Sequence, residues 1–128
     1  MFGNESEAAA WGAANGMEGA SVTAVAEAIA ALPKKGSASR TVVITQGSTE
    51  TVVASTNAAT FTVPVVSIND EKIVDTNGAG DAFVGGFIAA HAAGKTLNES
   101  CEVGHWAAGV VIGHSGCAFD ATLKCPFL

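Results

Sequence analysis

The stretch Val74-Asp75-Thr76-Asn77-Gly78-Ala79-Gly80-Asp81 narrows what this chain can fold into more than any other. Ile73-Val74 reads as the end of a buried strand, and two glycines then flank one alanine. Beyond them Phe83, Phe87 and Ala90 recur at i, i+4 and i+7, the spacing of one helical face. A helix opened by a glycine bend has first-turn N–H groups without intrahelical acceptors, and its dipole adds positive character there. Gly78, Ala79 and Gly80 therefore form an anion site suited to phosphate. Asp81 follows in the same turn, where the dipole favours a carboxylate and where it can accept a hydroxyl proton. A glycine-permitted tight turn with Asp81 as an ordinary first-turn acid accounts for the same residues.

Two familiar phosphate motifs do not fit. A dinucleotide-binding fingerprint needs glycine three residues after Gly80, where Phe83 stands, and a P-loop needs glycine at Ala89, five residues before Gly94-Lys95-Thr96. The chain has 128 residues, 48% hydrophobic and 14% charged, which suits one well-buried α/β domain and argues against disorder. Its formal charge of −6 argues against nucleic acid or an anionic membrane as partner. No apolar run reaches membrane-span length, and Met1-Phe2-Gly3-Asn4-Glu5 lacks the start of a signal peptide. Cys101, Cys117 and Cys125 show no C-x-x-C spacing, so zinc is not expected and reduced cytosolic thiols are.

Along the chain, Asn4-x-x-Glu7 enters an alanine-rich helix with no preceding strand, and the pair reads as a capping box. A second helix is expected from Gly19 to Leu32, with Val22, Val25, Ala26, Ile29 and Leu32 on one face and Pro33 ending it. Thr41–Thr45 is a buried strand by its β-branching, Gln46-Gly47 ends it, and Glu50–Ala54 is its hairpin partner. Phe61, Val63 and Val65 alternate, with Pro64 confining that strand to an edge or a strand end. Gly94 closes the signature helix. Thr96-Leu97-Asn98-Glu99 starts another helix that runs to about Ile112, with Cys101, His105, Ala108 and Ile112 on one stripe.

The string Asp75-Thr76-Asn77-Gly78-Ala79-Gly80-Asp81 resembles the carboxy-terminal signature of the ribokinase-like carbohydrate kinases, the pfkB family. Asn77 before the glycines and Ala82-Phe83-Val84-Gly85-Gly86-Phe87 after them are similar to the adenosine kinase branch. The resemblance implies an α/β fold, Rossmann-like with three αβα layers, whose mainly parallel sheet carries an antiparallel hairpin. Residues 1–128 would be its C-terminal nucleotide-binding and catalytic part, with the nucleoside pocket, the lid and a phosphate-stabilising cation upstream of Asn4.

The implied reaction is ATP-dependent phosphorylation of adenosine at its 5′-hydroxyl, with ATP and Mg²⁺ as cofactors and Asp81 as general base. Gly78, Ala79 and Gly80 would form the anion hole, and Asn4 and Glu7 would help organise Mg²⁺ indirectly. Thr45, Gly47, Asn77, His105 and Ala108 would contact ATP, and Asp75 would fix the loop or meet a monovalent cation. For Thr45-Gln46-Gly47 a plain hairpin turn explains the residues equally well, and a lone histidine on an apolar stripe, as His105 is, is more often a satisfied core or edge residue. Ser115-Gly116-Cys117 matches the family's turn, whereas Gly113-His114 and the tail from Thr122 depart from it. The family also implies a monomeric full-length protein in the cytoplasm, with the nucleus as the alternative compartment. A ribokinase- or fructokinase-like sugar kinase is the rival activity, and a non-catalytic nucleotide-binding module is the rival for the 128 residues alone.

Overall fold

The computed structural model describes residues 1–65, 74–115 and 122–127. The elements run β1 (Phe2–Asn4), α1 (Glu5–Ala14), α2 (Val22–Ala31), β2 (Thr41–Thr45), β3 (Glu50–Ser55), β4 (Ala58–Pro64), α3 (Ala79–Ala92) and α4 (Leu97–Ile112). They fall into two units, Met1–Pro64 and Val65–Leu128.

In the first unit the strands lie in the order β1-β2-β3-β4. β1 pairs parallel with β2, and β2–β3 and β3–β4 are antiparallel. The described sheet is thus mixed: the expected β2–β3 hairpin is present, the one parallel pairing is made by β1, and the other pairings among the described strands are antiparallel. Alternate side chains of a strand share a face, so Val42 and Ile44 of β2 join Val52 and Ala54 of β3 in one core. Ala8 of α1 and Val25, Ala26, Ile29 and Ala30 of α2 complete it, with Trp11, Met17 and Val22 packed at its border. Burying a Val or Ile side chain contributes roughly 1.5–3 kcal/mol. This apolar seam therefore outweighs any single polar contact in holding α1 and α2 on the sheet.

Three sequence expectations need adjusting in this unit. Phe2–Asn4 is a strand, paired with Val43–Thr45; three residues are too few to carry a periodic signal. α2 is shorter than Gly19–Leu32, because the Ser21 hydroxyl takes the N-cap by accepting from the Ala24 N–H at 3.2 Å. Leu32 turns extended ahead of Pro33, as a residue before proline prefers, and is 42% exposed instead of facing the core. Arg40 closes that end: its guanidinium donates to the carbonyls of Ile29 (2.9 Å), Leu32 (2.7 Å) and Pro33 (3.4 Å). Pro64 is the last residue of β4, which lies at the sheet edge, as its ring requires.

The second unit is built on α3 and α4. Phe83, Phe87 and Ala90 of α3 are buried, as their spacing demands, together with Cys101, Val103, Gly104 and Val111 of α4. Gly94, with φ of 84°, takes the left-handed position after α3. Thr96 and Glu99 make the expected reciprocal capping box at the start of α4. Val74 is 60% exposed and outside any strand, so it does not continue a buried one; Ile73 lies outside the described residues, as do Asp70-Glu71-Lys72, Gly116 and Cys117. Cys101 and Cys125 are free thiols. Among the described residues no helix is long and apolar enough to cross a membrane.

Candidate functional site

In the second unit the signature folds into a tight turn that feeds α3. Asp75, half-buried, accepts the Asn77 N–H on its Oδ1 at 2.9 Å, an Asx turn. The Ala79 N–H donates to the Thr76 carbonyl at 3.3 Å. Gly78 then takes φ 78° and ψ −4°, a left-handed conformation that L side chains rarely adopt, and becomes the N-cap of α3 without a side-chain cap. Its carbonyl accepts the Ala82 N–H at 2.9 Å, the first bond of the helix.

Two amides at the start of α3 are left for a ligand. Ala79's is turned toward Thr76, while among the described residues no group accepts from the N–H of Gly80 or Asp81. Asp81 is exposed and carries the only carboxylate of that first turn. The turn is tied down from the far side: the Ile112 carbonyl, at the end of α4, accepts the N–H groups of Val74 (2.9 Å) and Asp75 (3.2 Å). Nothing in the residue types of Ile112 or Val74 signals that anchor, because it is made entirely by backbone.

α4 brings His105 and Ala108 to neighbouring positions one turn apart, both half-buried. The His105 ring lies 5.3 Å from that of Phe83, with the planes at 42°. Burial pushes the imidazole below its ordinary value, and the Glu102 carboxylate opposes that shift more weakly. Cys101 on the same helix is pushed up to about 12 by burial, with Glu102 adding to the shift, so its thiol stays protonated and is no nucleophile.

The first unit presents a separate cluster. Asn4 and Thr45 are register partners at the carboxyl ends of the parallel strands β1 and β2, the end of an α/β sheet where ligands gather. Thr45 Oγ1 reaches the Gly3 carbonyl at 3.5 Å. Asn4 Oδ1 accepts the Glu7 N–H and Glu7 Oε2 accepts the Asn4 N–H, both at 2.9 Å, so the capping-box reading of this pair is met. Gly47 sits in the turn between β2 and β3 at φ 56°. Gln46 holds that turn, its N–H donating to the Glu50 carbonyl and its own carbonyl accepting from Thr49. A Cβ on Gly47 would stand 3.9 Å from Glu5 Oε1, a neighbour that the sequence reading did not single out. Its position as the first residue of α1 was the available signal.

Among the described residues no group of three or more His, Cys, Asp or Glu side chains could hold a metal on its own. Mg²⁺ asks for less, since it keeps several waters and takes one or two carboxylates plus substrate phosphates. Glu7 has one oxygen engaged by the cap, and its Oε1 accepts no hydrogen bond among the described residues. One free carboxylate oxygen at the sheet's carboxyl end fits an indirect, water-mediated role.

Residues 1–124 match the family model described as pfkB family carbohydrate kinase. Adenosine kinase 1 of Arabidopsis thaliana is 44% identical over 120 residues, covering 93% of this chain and 35% of that protein. The Schistosoma mansoni adenosine kinase, solved in complex with 2-fluoroadenosine, superposes with a TM-score of 0.87 at 38% identity, covering 94% of this chain and 36% of that one. The Anopheles gambiae adenosine kinase, in complex with P1,P4-di(adenosine-5) tetraphosphate, gives 0.84 at 41%, over 91% of this chain and 35% of that one. A ribokinase from Thermotoga maritima aligns less well, at 0.76 and 28%, over 91% and 36%. The chain spans about a third of the length of the curated relatives it matches.

Proposed function

Because this chain belongs to the pfkB family of carbohydrate kinases and shares its ribokinase-like α/β fold, we propose that it is the C-terminal, catalytic part of an adenosine kinase. The reaction moves the γ-phosphate of ATP to the 5′-hydroxyl of adenosine, giving AMP and ADP. The observation that carries this reading is the start of α3: two unclaimed amides, on Gly80 and Asp81, with a carboxylate in the same helical turn.

Phosphoryl transfer needs alignment and charge neutralisation more than covalent help from the protein. Asp81 takes the hydroxyl proton as the 5′-oxygen bonds to phosphorus and the bridging oxygen leaves with ADP. The amides of Gly80 and Asp81 face the negative charge on the migrating group, while the left-handed Gly78 and the Ala79 amide bound to Thr76 shape the bend. One donor of this kind elsewhere contributes about 3–4 kcal/mol to the transition state. When bound, Mg²⁺ supplies neutralisation of the β- and γ-phosphate oxygens. Asn4 and Glu7 of the first unit would hold its water shell, through the Glu7 oxygen that the cap leaves open. Within the first unit Thr45 and Gly47 are the residues offered to ATP phosphate; within the second, Asn77 takes that role and His105 with Ala108 borders the base. Asp75 keeps the loop in shape, a role that its bond to Asn77 supports.

Adenosine is favoured over a free sugar by Asn77 in the signature and by the higher identity to the Schistosoma mansoni and Anopheles gambiae adenosine kinases than to the Thermotoga maritima ribokinase. The nucleoside pocket and lid are assigned to the part of the relatives that this chain does not match. The test compares phosphorylation of adenosine, ribose and fructose by the full-length protein at equal concentrations. Preference for adenosine supports the reading, and preference for a free sugar overturns it. Calorimetry of the 128 residues with ATP and Mg²⁺ then tells a nucleotide-binding module from an inert segment.

A further inference from the structure

We propose that Phe83 is a positioning residue for the nucleotide, joining the Asp81 turn to the seat of His105; the inference rests on the kinase reading above. Phe83 follows Asp81 by two residues on α3 and is 2% exposed, so its ring cannot leave the packed face. That ring is the surface against which the His105 imidazole lies, 5.3 Å away. Gly104, the residue before His105, sits so close to it that a Cβ there would stand 2.7 Å from Phe83 Cδ2 and 2.8 Å from Cε2. The same Cβ would stand 2.9 Å from the Phe83 carbonyl oxygen.

The missing side chain at position 104 is thus what lets α4 rest on Phe83 and deliver the next residue to the ring's edge. Phe87 at 6.2 Å from Phe83, and His91 at 6.1 Å from Phe87, extend the row of rings along α3. A half-buried imidazole kept uncharged by its burial suits the edge of a nucleobase better than a phosphate. Phe83 therefore spaces the base-binding group from the phosphate-binding turn.

The test is Phe83→Leu in the full-length protein, with circular dichroism to verify folding and Phe83→Met, which keeps volume without a ring, as the second variant. Two readouts apply: the His105 imidazole titration followed by NMR, and the kinetics with ATP. The expected result is a His105 midpoint that moves up toward the ordinary 6.5, with KM for ATP raised about three- to tenfold, the worth of one aromatic contact, and kcat within about twofold. Phe83→Tyr, which keeps the ring, should hold both readouts near wild type. An unchanged His105 titration, or a loss in kcat with KM unaltered, overturns the proposal. A titration that moves while the wild-type protein binds no ATP sustains the placement of His105 by Phe83 and overturns the kinase reading instead.

Discussion

Gly86 of α3 and Gly104 of α4 meet backbone to backbone: a Cβ on Gly86 would stand 3.2 Å from the Gly104 Cα and 2.9 Å from the Val103 carbonyl oxygen. Its third neighbour, the Ala107 Cβ at 3.0 Å, is no more able to yield. Gly86→Ala should therefore destabilise the chain by about 1–3 kcal/mol, the usual cost of overpacking. Gly85 is the control, since nothing lies within 4 Å of a Cβ built there. Gly85→Ala should stabilise by up to about 1 kcal/mol, through helix propensity alone. Urea midpoints of the two variants check the contrast, and equal effects would deny the close approach of the helices.

The Asn4–Glu7 pair carries two proposed duties that substitutions can separate. Asn4→Ala removes the cap and should cost about 1 kcal/mol, whereas Asn4→Ser, another good N-cap, should cost little. Glu7→Gln keeps an oxygen to accept the Asn4 N–H but loses the charge. Its stability should stay near wild type, while the Mg²⁺ concentration needed for half-maximal activity rises. A Glu7→Gln protein with an unchanged Mg²⁺ requirement would leave the cap as the whole role of the motif.

His105 gives the chain a pH dependence of definite sign. Its folded-state value is lowered by burial, so between that value and the ordinary 6.5 the unfolded chain binds more protons than the folded one. Stability is present above 6.5 and is lost as pH falls through the lowered folded value. Urea midpoints measured between pH 7.5 and 5 should decline, and His105→Gln should flatten part of that decline. An identical slope in both proteins would contradict the burial of this ring.

Phe83, Phe87 and Ala90 announce their shared face because burial repeats at a helical interval, and Thr41–Thr45 its strand because a short unbroken β-branched run suits a sheet buried on both faces. Punctuation was legible too, in Thr96 and Glu99, Asn4 and Glu7, and Gly94. β1 was missed because three residues carry no period, and Leu32 was misplaced because the extended bias before Pro33 prevails over the helical pattern. In the candidate site the residue types of the Asp75–Asp81 turn point to its side chains, whereas Glu5 beside Gly47 carries no such signal beyond opening α1. The direction of each amide was not legible: that the Ala79 N–H turns to Thr76, and that Ile112 holds Val74 and Asp75, are backbone facts invisible to residue type.

The central claim is that Asp81 receives the proton of the attacking hydroxyl. Replacing it by Asn in the full-length protein keeps the side chain's size and removes its basicity. Single-turnover measurements with adenosine and ATP should show the phosphoryl-transfer rate reduced by about 10²–10⁴-fold, with the dissociation constant for ATP unchanged. A variant that transfers phosphate within a few-fold of the wild-type rate would contradict the account.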